Sequence, residues 1–117
     1  MRVEPVEERI CAAVRPIVPV IVPGTYSGPA PTYCTYNFFR SPEGFGDNRS
    51  RTSIAYIQVH LFTPGGGGQG AKKNPWPLAR RLGRALEEAG FTAAEMTDAS
   101  DDEYQHIVLE VEGLDCG

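Results

Sequence analysis

Residues 52 to 63, TSIAYIQVHLFT, carry the clearest pattern in the chain: Ala55, Ile57, Val59 and Leu61 alternate with Tyr56, Gln58, His60 and Phe62. Successive side chains of a strand point to opposite faces, so this period of two predicts a strand with one apolar, core-facing side. Its other side is mixed and is free to meet solvent or a partner chain. Residues 104 to 112, YQHIVLEVE, repeat the alternation, with Ile107, Leu109 and Val111 on one side. Residues 32 to 39, TYCTYNFF, are aromatic and β-branched and read as a further strand. Residues 92 to 97 predict a weaker one, forming a C-terminal hairpin over 92 to 112 with the turn DASDDE. IVPVIVPG, residues 17 to 24, is a short extended segment whose prolines suit a sheet edge better than its centre.

Two stretches follow the helical period instead. Over residues 4 to 15, Val6, Ile10, Ala13 and Val14 share a face. Glu4, Glu7 and Glu8 precede Arg9 and Arg15, the order favoured by the helix dipole, and Pro16 and Pro19 end the segment. The second helix, 75 to 89, has Asn74 as cap, Pro75 at its first position and Gly90 just past its end. Its apolar stripe is Leu78, Leu82, Ala85, Leu86 and Ala89, and Phe91 is placed to fold back after the glycine. The order α-β-β-β-α-β-β, with strands often adjacent in sequence, predicts an α+β fold. An antiparallel or mixed β-sheet of about four to five strands would carry two packed helices.

With 117 residues the chain is expected to form one domain, 1 to 117. No apolar run approaches the roughly 18 residues of a membrane span. MRVEPVEERICAAV lacks the cationic-then-apolar order of a signal peptide, so a product made in the cytoplasm is expected. The net charge of −4 argues against a nucleic-acid binder acting through a basic surface. The 13 glycines and 10 prolines cluster in connections such as RSPEGFGDNRSR, so much of the chain is loop.

TPGGGGQGAKKNPW, residues 63 to 76, resembles a phosphate-holding loop only at first sight. Gly65 and Gly70 have the P-loop separation, but Ala71 stands where the lysine belongs, and no hydroxyl follows for magnesium. The stretch reads as a flexible connection over 64 to 74. Cys11, Cys34 and Cys116 are widely spaced with no C-x-x-C, and read as reduced thiols. The acidic run Asp98, Asp101, Asp102, Glu103 lacks the rhythm of a calcium loop.

His60 and His106 both lie in predicted strands. If those strands were neighbours, two imidazoles could converge; otherwise each is a half-buried, hydrogen-bonded residue of a mixed face. The second reading is preferred, so no catalytic residue, metal or cofactor is expected. The second helix bears Arg80, Arg81 and Arg84 in its first half and Glu87 and Glu88 at its end, against the dipole preference. Each misplacement costs so little that drift explains it; charges so placed also suit a complementary neighbour. The candidate interface is therefore the mixed face Tyr56, Gln58, His60, Phe62 together with Arg80, Arg81, Arg84, Glu87 and Glu88.

TYCTYNF with FGDN, IQVHLFTP, LGRALEEAGFT and TDASDDEYQHIVLEVE, in that order over residues 20 to 112, together resemble a family of small proteins. These are encoded in the head–tail joining region of tailed bacteriophages and prophages, and are described as tail completion, tail terminator or minor capsid-type proteins. Gly46-Asp47 matches the family's loop between central strands, and Gln58-Val59-His60 its central strand. Ala89-Gly90-Phe91 matches its helix stop, and Ala99-Ser100-Asp101 with Gln105-His106 its last hairpin. The glycine run in the 63 to 74 loop is longer than the family pattern.

The resemblance implies an α+β fold, a virion location in the phage tail or neck, and work as a homo-oligomeric ring, commonly a hexamer. Such a ring caps the tail tube and meets the head connector, with DNA only as cargo passing through its lumen. It implies no catalytic role. The other readings are a head–tail connector or minor capsid-type protein, a small non-viral adaptor module, and an enzyme using His60 and His106.

Overall fold

A computed structural model describes residues 5–42, 52–64, 74–101 and 104–116. Seven elements follow one another: α1 (Val6–Val14), β1 (Ile21–Pro23), β2 (Tyr33–Pro42), β3 (Thr52–Pro64), α2 (Trp76–Glu88), β4 (Glu95–Asp98) and β5 (Tyr104–Cys116). The fold is α+β, with one sheet in the order β1-β2-β3-β5-β4. β3 is central and pairs antiparallel with β2 on one side and β5 on the other. β1 sits at an edge, where Pro23 is tolerated. It runs parallel to β2, so the sheet is mixed. A parallel connection usually needs a long crossover. Here β1 spans only Ile21–Pro23, and the segment from Gly24 to Thr32 is enough to carry the chain back. Gly46-Asp47 and nearly all of the 64 to 74 loop lie outside the described residues.

The alternation in β3 and β5 sorts their side chains as the pattern predicts. Ala55, Ile57, Val59, Leu61, Ile107, Leu109 and Val111 are buried beneath the two helices. α1 contributes Val6, Ile10 and Val14 to the same core, and α2 contributes Ala79, Leu82 and Leu86. Each large apolar side chain so buried is worth about 1.5–3 kcal/mol. Misplaced surface charges on a helix cost only a few tenths of a kcal/mol each. Core packing therefore decides how α2 lies, whatever its arginines prefer.

The buried stripe of α2 is rotated from the predicted one. Ala79 and Gly83 are buried, whereas Leu78, Ala85 and Ala89 are only half-buried. The buried residues are Ala79, Leu82, Gly83 and Leu86, and the helix comes close to the sheet at Gly83, where a Cβ would meet Met96 of β4, Ala94 and Leu109 of β5. The start of α2 also differs by one position. Pro75 is the cap residue, and the Asn74 side chain reaches past it to accept a hydrogen bond from the Trp76 N–H at 3.0 Å.

The end of α2 is a Schellman stop. Gly90 has φ +102°, its N–H donates to Glu87 at 3.0 Å, and the Phe91 N–H donates to Leu86 at 3.1 Å. This turns Phe91 into the core, 4% exposed, with its ring over Gly113 of β5. The Arg9 guanidinium of α1 lies 4.4 Å from the centre of that ring. It also donates to the Leu114 carbonyl at 2.8 Å and the Ala89 carbonyl at 3.3 Å. One stack, Arg9–Phe91–Gly113, thus ties α1, the end of α2 and β5 together.

A Cβ at position 113 would collide with the Phe91 ring. Gly113→Ala is therefore expected to destabilise the fold by about 1–3 kcal/mol, as overpacking does. Thermal unfolding would read it, and adding Phe91→Leu should recover part of the loss. An unchanged melting temperature in Gly113→Ala would show that the ring does not hold this place.

Candidate functional site

Two helices cover one face of the sheet, and the side chains of the opposite parity form the other. The register of the strands sets its rows. Tyr33, Phe62 and His106 lie side by side across β2, β3 and β5. Thr35, His60 and Val108 form the next row, then Asn37, Gln58, Glu110 and Glu95, then Phe39, Tyr56 and Glu112. The predicted face Tyr56, Gln58, His60, Phe62 is therefore real as a surface, and each of its members is half-buried by its neighbours.

The upper rows are aromatic. Phe62 stacks on Tyr33 with ring centres 4.8 Å apart and on His106 at 4.2 Å. Tyr104 meets Phe62 edge-on, and Tyr26 continues the run beyond Tyr33. Such pairs gain about 0.5–1.5 kcal/mol beyond their buried area, so this end of the face is held rigid.

His60 and His106 do converge, because β3 and β5 are neighbours. His60 Nδ1 and His106 Nε2 are 2.8 Å apart, and His60 Nε2 is 3.0 Å from Asn37 Oδ1. The Asn37 amide in turn donates to Gln58 Oε1 at 3.4 Å. Asn37 Oδ1 can only accept, so His60 carries its proton on Nε2. His60 Nδ1 must then accept from the Nε2–H of His106. The hydrogen bonds run in one direction, His106 to His60 to Asn37 to Gln58, and assign the Nε2–H tautomer to both neutral rings.

Burial holds both histidines below their ordinary pKa; for His60 the neighbouring His106 adds to this, while Glu110 opposes it. At His106 the carboxylates of Asp101 and Asp98 oppose the effect of burial. A first proton enters at His106 Nδ1 without breaking the chain. A second, on His60 Nδ1, would break the bond and place two cations together.

The lower rows are acidic. Glu95 and Glu110 are direct cross-strand partners, and Glu112 follows on the same face. Like charges directly opposite are destabilising, and here no ion pair among the described residues offsets them. With Phe39, Tyr56 and Gln58 the three glutamates line a groove of about 450 Å³. Phe39, 64% exposed, forms part of its wall.

The other predicted residues lie on the far side of the molecule. Arg80, Arg81, Arg84, Glu87 and Glu88 are exposed on α2, turned away from the sheet. Among the described residues none of them forms a hydrogen bond or ion pair through its side chain. The candidate interface is thus two surfaces on opposite faces of a two-layer sandwich. Asn37, Phe39, Glu95, Glu110 and Glu112 belong to the sheet surface and were not singled out by sequence. The period of two in β2 was the available signal for Asn37 and Phe39; nothing local places Glu95 beside Glu110.

Cys34 is buried, and burial pushes its thiol up to about 12, which makes it inert. Asp98 and Asp101 accept hydrogen bonds from backbone N–H groups of their own turn, at 2.9 and 2.8 Å. No set of three or more His, Cys, Asp and Glu gathers around one point among the described residues. Nor is any helix there long and apolar enough to cross a membrane. No protein-family model matches the chain, and no curated protein matches it.

The histidine pair gives the fold an acid-sensitive term. Both folded-state pKa values lie below the unfolded value of about 6.5, so between them the unfolded chain binds more protons. Stability present above about pH 6.5 is lost as pH falls through the folded values. Melting temperatures in chelator-treated buffer should fall on acidification from about pH 7 to 5, and less steeply in His106→Gln. Parallel curves for the two proteins would mean the pair does not contribute.

Proposed function

We propose that this chain is a structural assembly protein of the phage head–tail interface, a subunit of a tail terminator or completion ring. The motif resemblance supports the class. The observation that carries the reading is electrostatic: an acidic groove on one face of the sandwich and an arginine stripe on the other. Among the described residues neither forms an ion pair. Glu95, Glu110 and Glu112 repel one another until a cation is brought to them, and Arg80, Arg81 and Arg84 are three cations on one helix surface.

Surfaces that are different, complementary and on opposite faces make a head-to-tail contact, the type that closes into rings when the rotation between subunits allows it. The occupant of the groove in this reading is α2 of a second copy, with its arginines on the glutamates and Phe39 and Tyr56 beneath. Buried charges that find partners in this way fix register and partner choice. The tail tube and the head connector would meet the two ring faces, and the net charge of −4 suits a lumen through which DNA passes without sticking. A connector-side or minor capsid-type role uses the same contact.

Sedimentation velocity over a concentration series should show self-association that weakens as salt rises past about 0.15 M, where charges are screened beyond roughly 8 Å. Arg80→Glu with Arg84→Glu should abolish it, as should Glu110→Arg with Glu112→Arg. Mixing the two reversed proteins should restore assembly, because the native groove of one meets the native helix of the other and the two reversed surfaces are again opposite in charge. A strict monomer that also fails to bind tail-tube protein would count heavily against the proposal.

A further inference from the structure

The geometry of the histidine pair points to a function beyond packing. We propose that His60 and His106 are the two protein ligands of a divalent transition ion of the copper, nickel and zinc class, His60 binding through Nδ1 and His106 through Nε2. The two nitrogens already face each other at 2.8 Å with nothing but one proton between them. The ring centres are 5.0 Å apart. An ion about 2.0 Å from each nitrogen would lie about 3.2 Å from each ring centre, so centres at this spacing subtend roughly 100° at the metal. That angle falls between the right angle of a square-planar site and the tetrahedral value. To reach it the hydrogen bond is given up and each ring tilts about its own centre until its nitrogen points roughly 40° off the line of centres, opening the nitrogens to roughly 3.2 Å against the restraint of the Phe62 stack.

The surroundings are those of a ligand pair. A metal-bound histidine ordinarily gives its second N–H to an oxygen that fixes its tautomer. His60 does so already, with Nε2–H donated to Asn37 Oδ1 at 3.0 Å, which leaves Nδ1 as the free donor atom. For His106 the change is one of tautomer: the proton leaves Nε2 and is taken up at Nδ1, in the field of Asp101 and Asp98. The neutral pair therefore binds the ion with no net release of protons. Phe62, stacked on His106 at 4.2 Å, limits the freedom of that ring and so the entropy lost on binding. Two protein ligands leave the other positions to water, and imidazole donors follow the order in which copper binds most tightly.

The test uses the full-length protein, freed of metal with a chelator and titrated with nickel(II), which does not oxidise the thiols. Calorimetry should show one ion per chain, and His60→Gln or His106→Gln should each weaken binding by at least about tenfold. Paramagnetic broadening in the wild-type spectrum should be strongest at His60, His106 and their strand neighbours, a readout that does not depend on the variants folding. No binding up to about 1 mM, equal binding by both variants, or broadening centred elsewhere would each overturn the proposal.

Discussion

Everything in this molecule follows from a shortage of helix. Five strands present two faces, and α1 and α2 are enough to cover one of them. The hydrophobic effect fills that side with Ile57, Val59, Leu61, Ile107 and Leu109, each about 1.5–3 kcal/mol when buried. Among the described residues no helix covers the other side. That side stacks rings against one another at one end and leaves glutamates in water at the other.

The same division explains why the two ends of the open face differ in character. Around Phe62 the side chains satisfy each other: rings stack, and His106, His60, Asn37 and Gln58 pass hydrogen bonds from one row to the next. Around Glu110 they do not, since Glu95 stands opposite it and Glu112 two residues on. A surface that satisfies itself is rigid and self-contained, whereas one that repels itself gains from a partner. The α2 arginines present the matching situation on the far face, and dipole and i,i+4 preferences are too weak to forbid them there.

Much of the fold is legible in the sequence. The parity of β3 and β5, the glycine stop of α2 with Phe91 folded back, and the edge position of β1, which ends in Pro23, all follow from local chemistry. The rotation of the α2 stripe onto Ala79 and Gly83 was not legible, because small residues carry little hydrophobic signal and are buried by closeness of approach. The stack of Arg9 on Phe91 over Gly113 was hidden for a different reason: its members come from three separate elements.

Sequence by itself settled which side chains share a face, since a strand alternates and a helix turns by fixed steps regardless of what lies beside it. It could not settle which of them touch. His60 and His106 are 46 positions apart, and they meet only because β5 pairs with β3 in one register. A shift of that pairing by one residue would send His106 to the covered face. The contact between them, like the crowding of Glu95 and Glu110, is a property of strand pairing, which is decided by the burial of the whole core and not by any short stretch of chain.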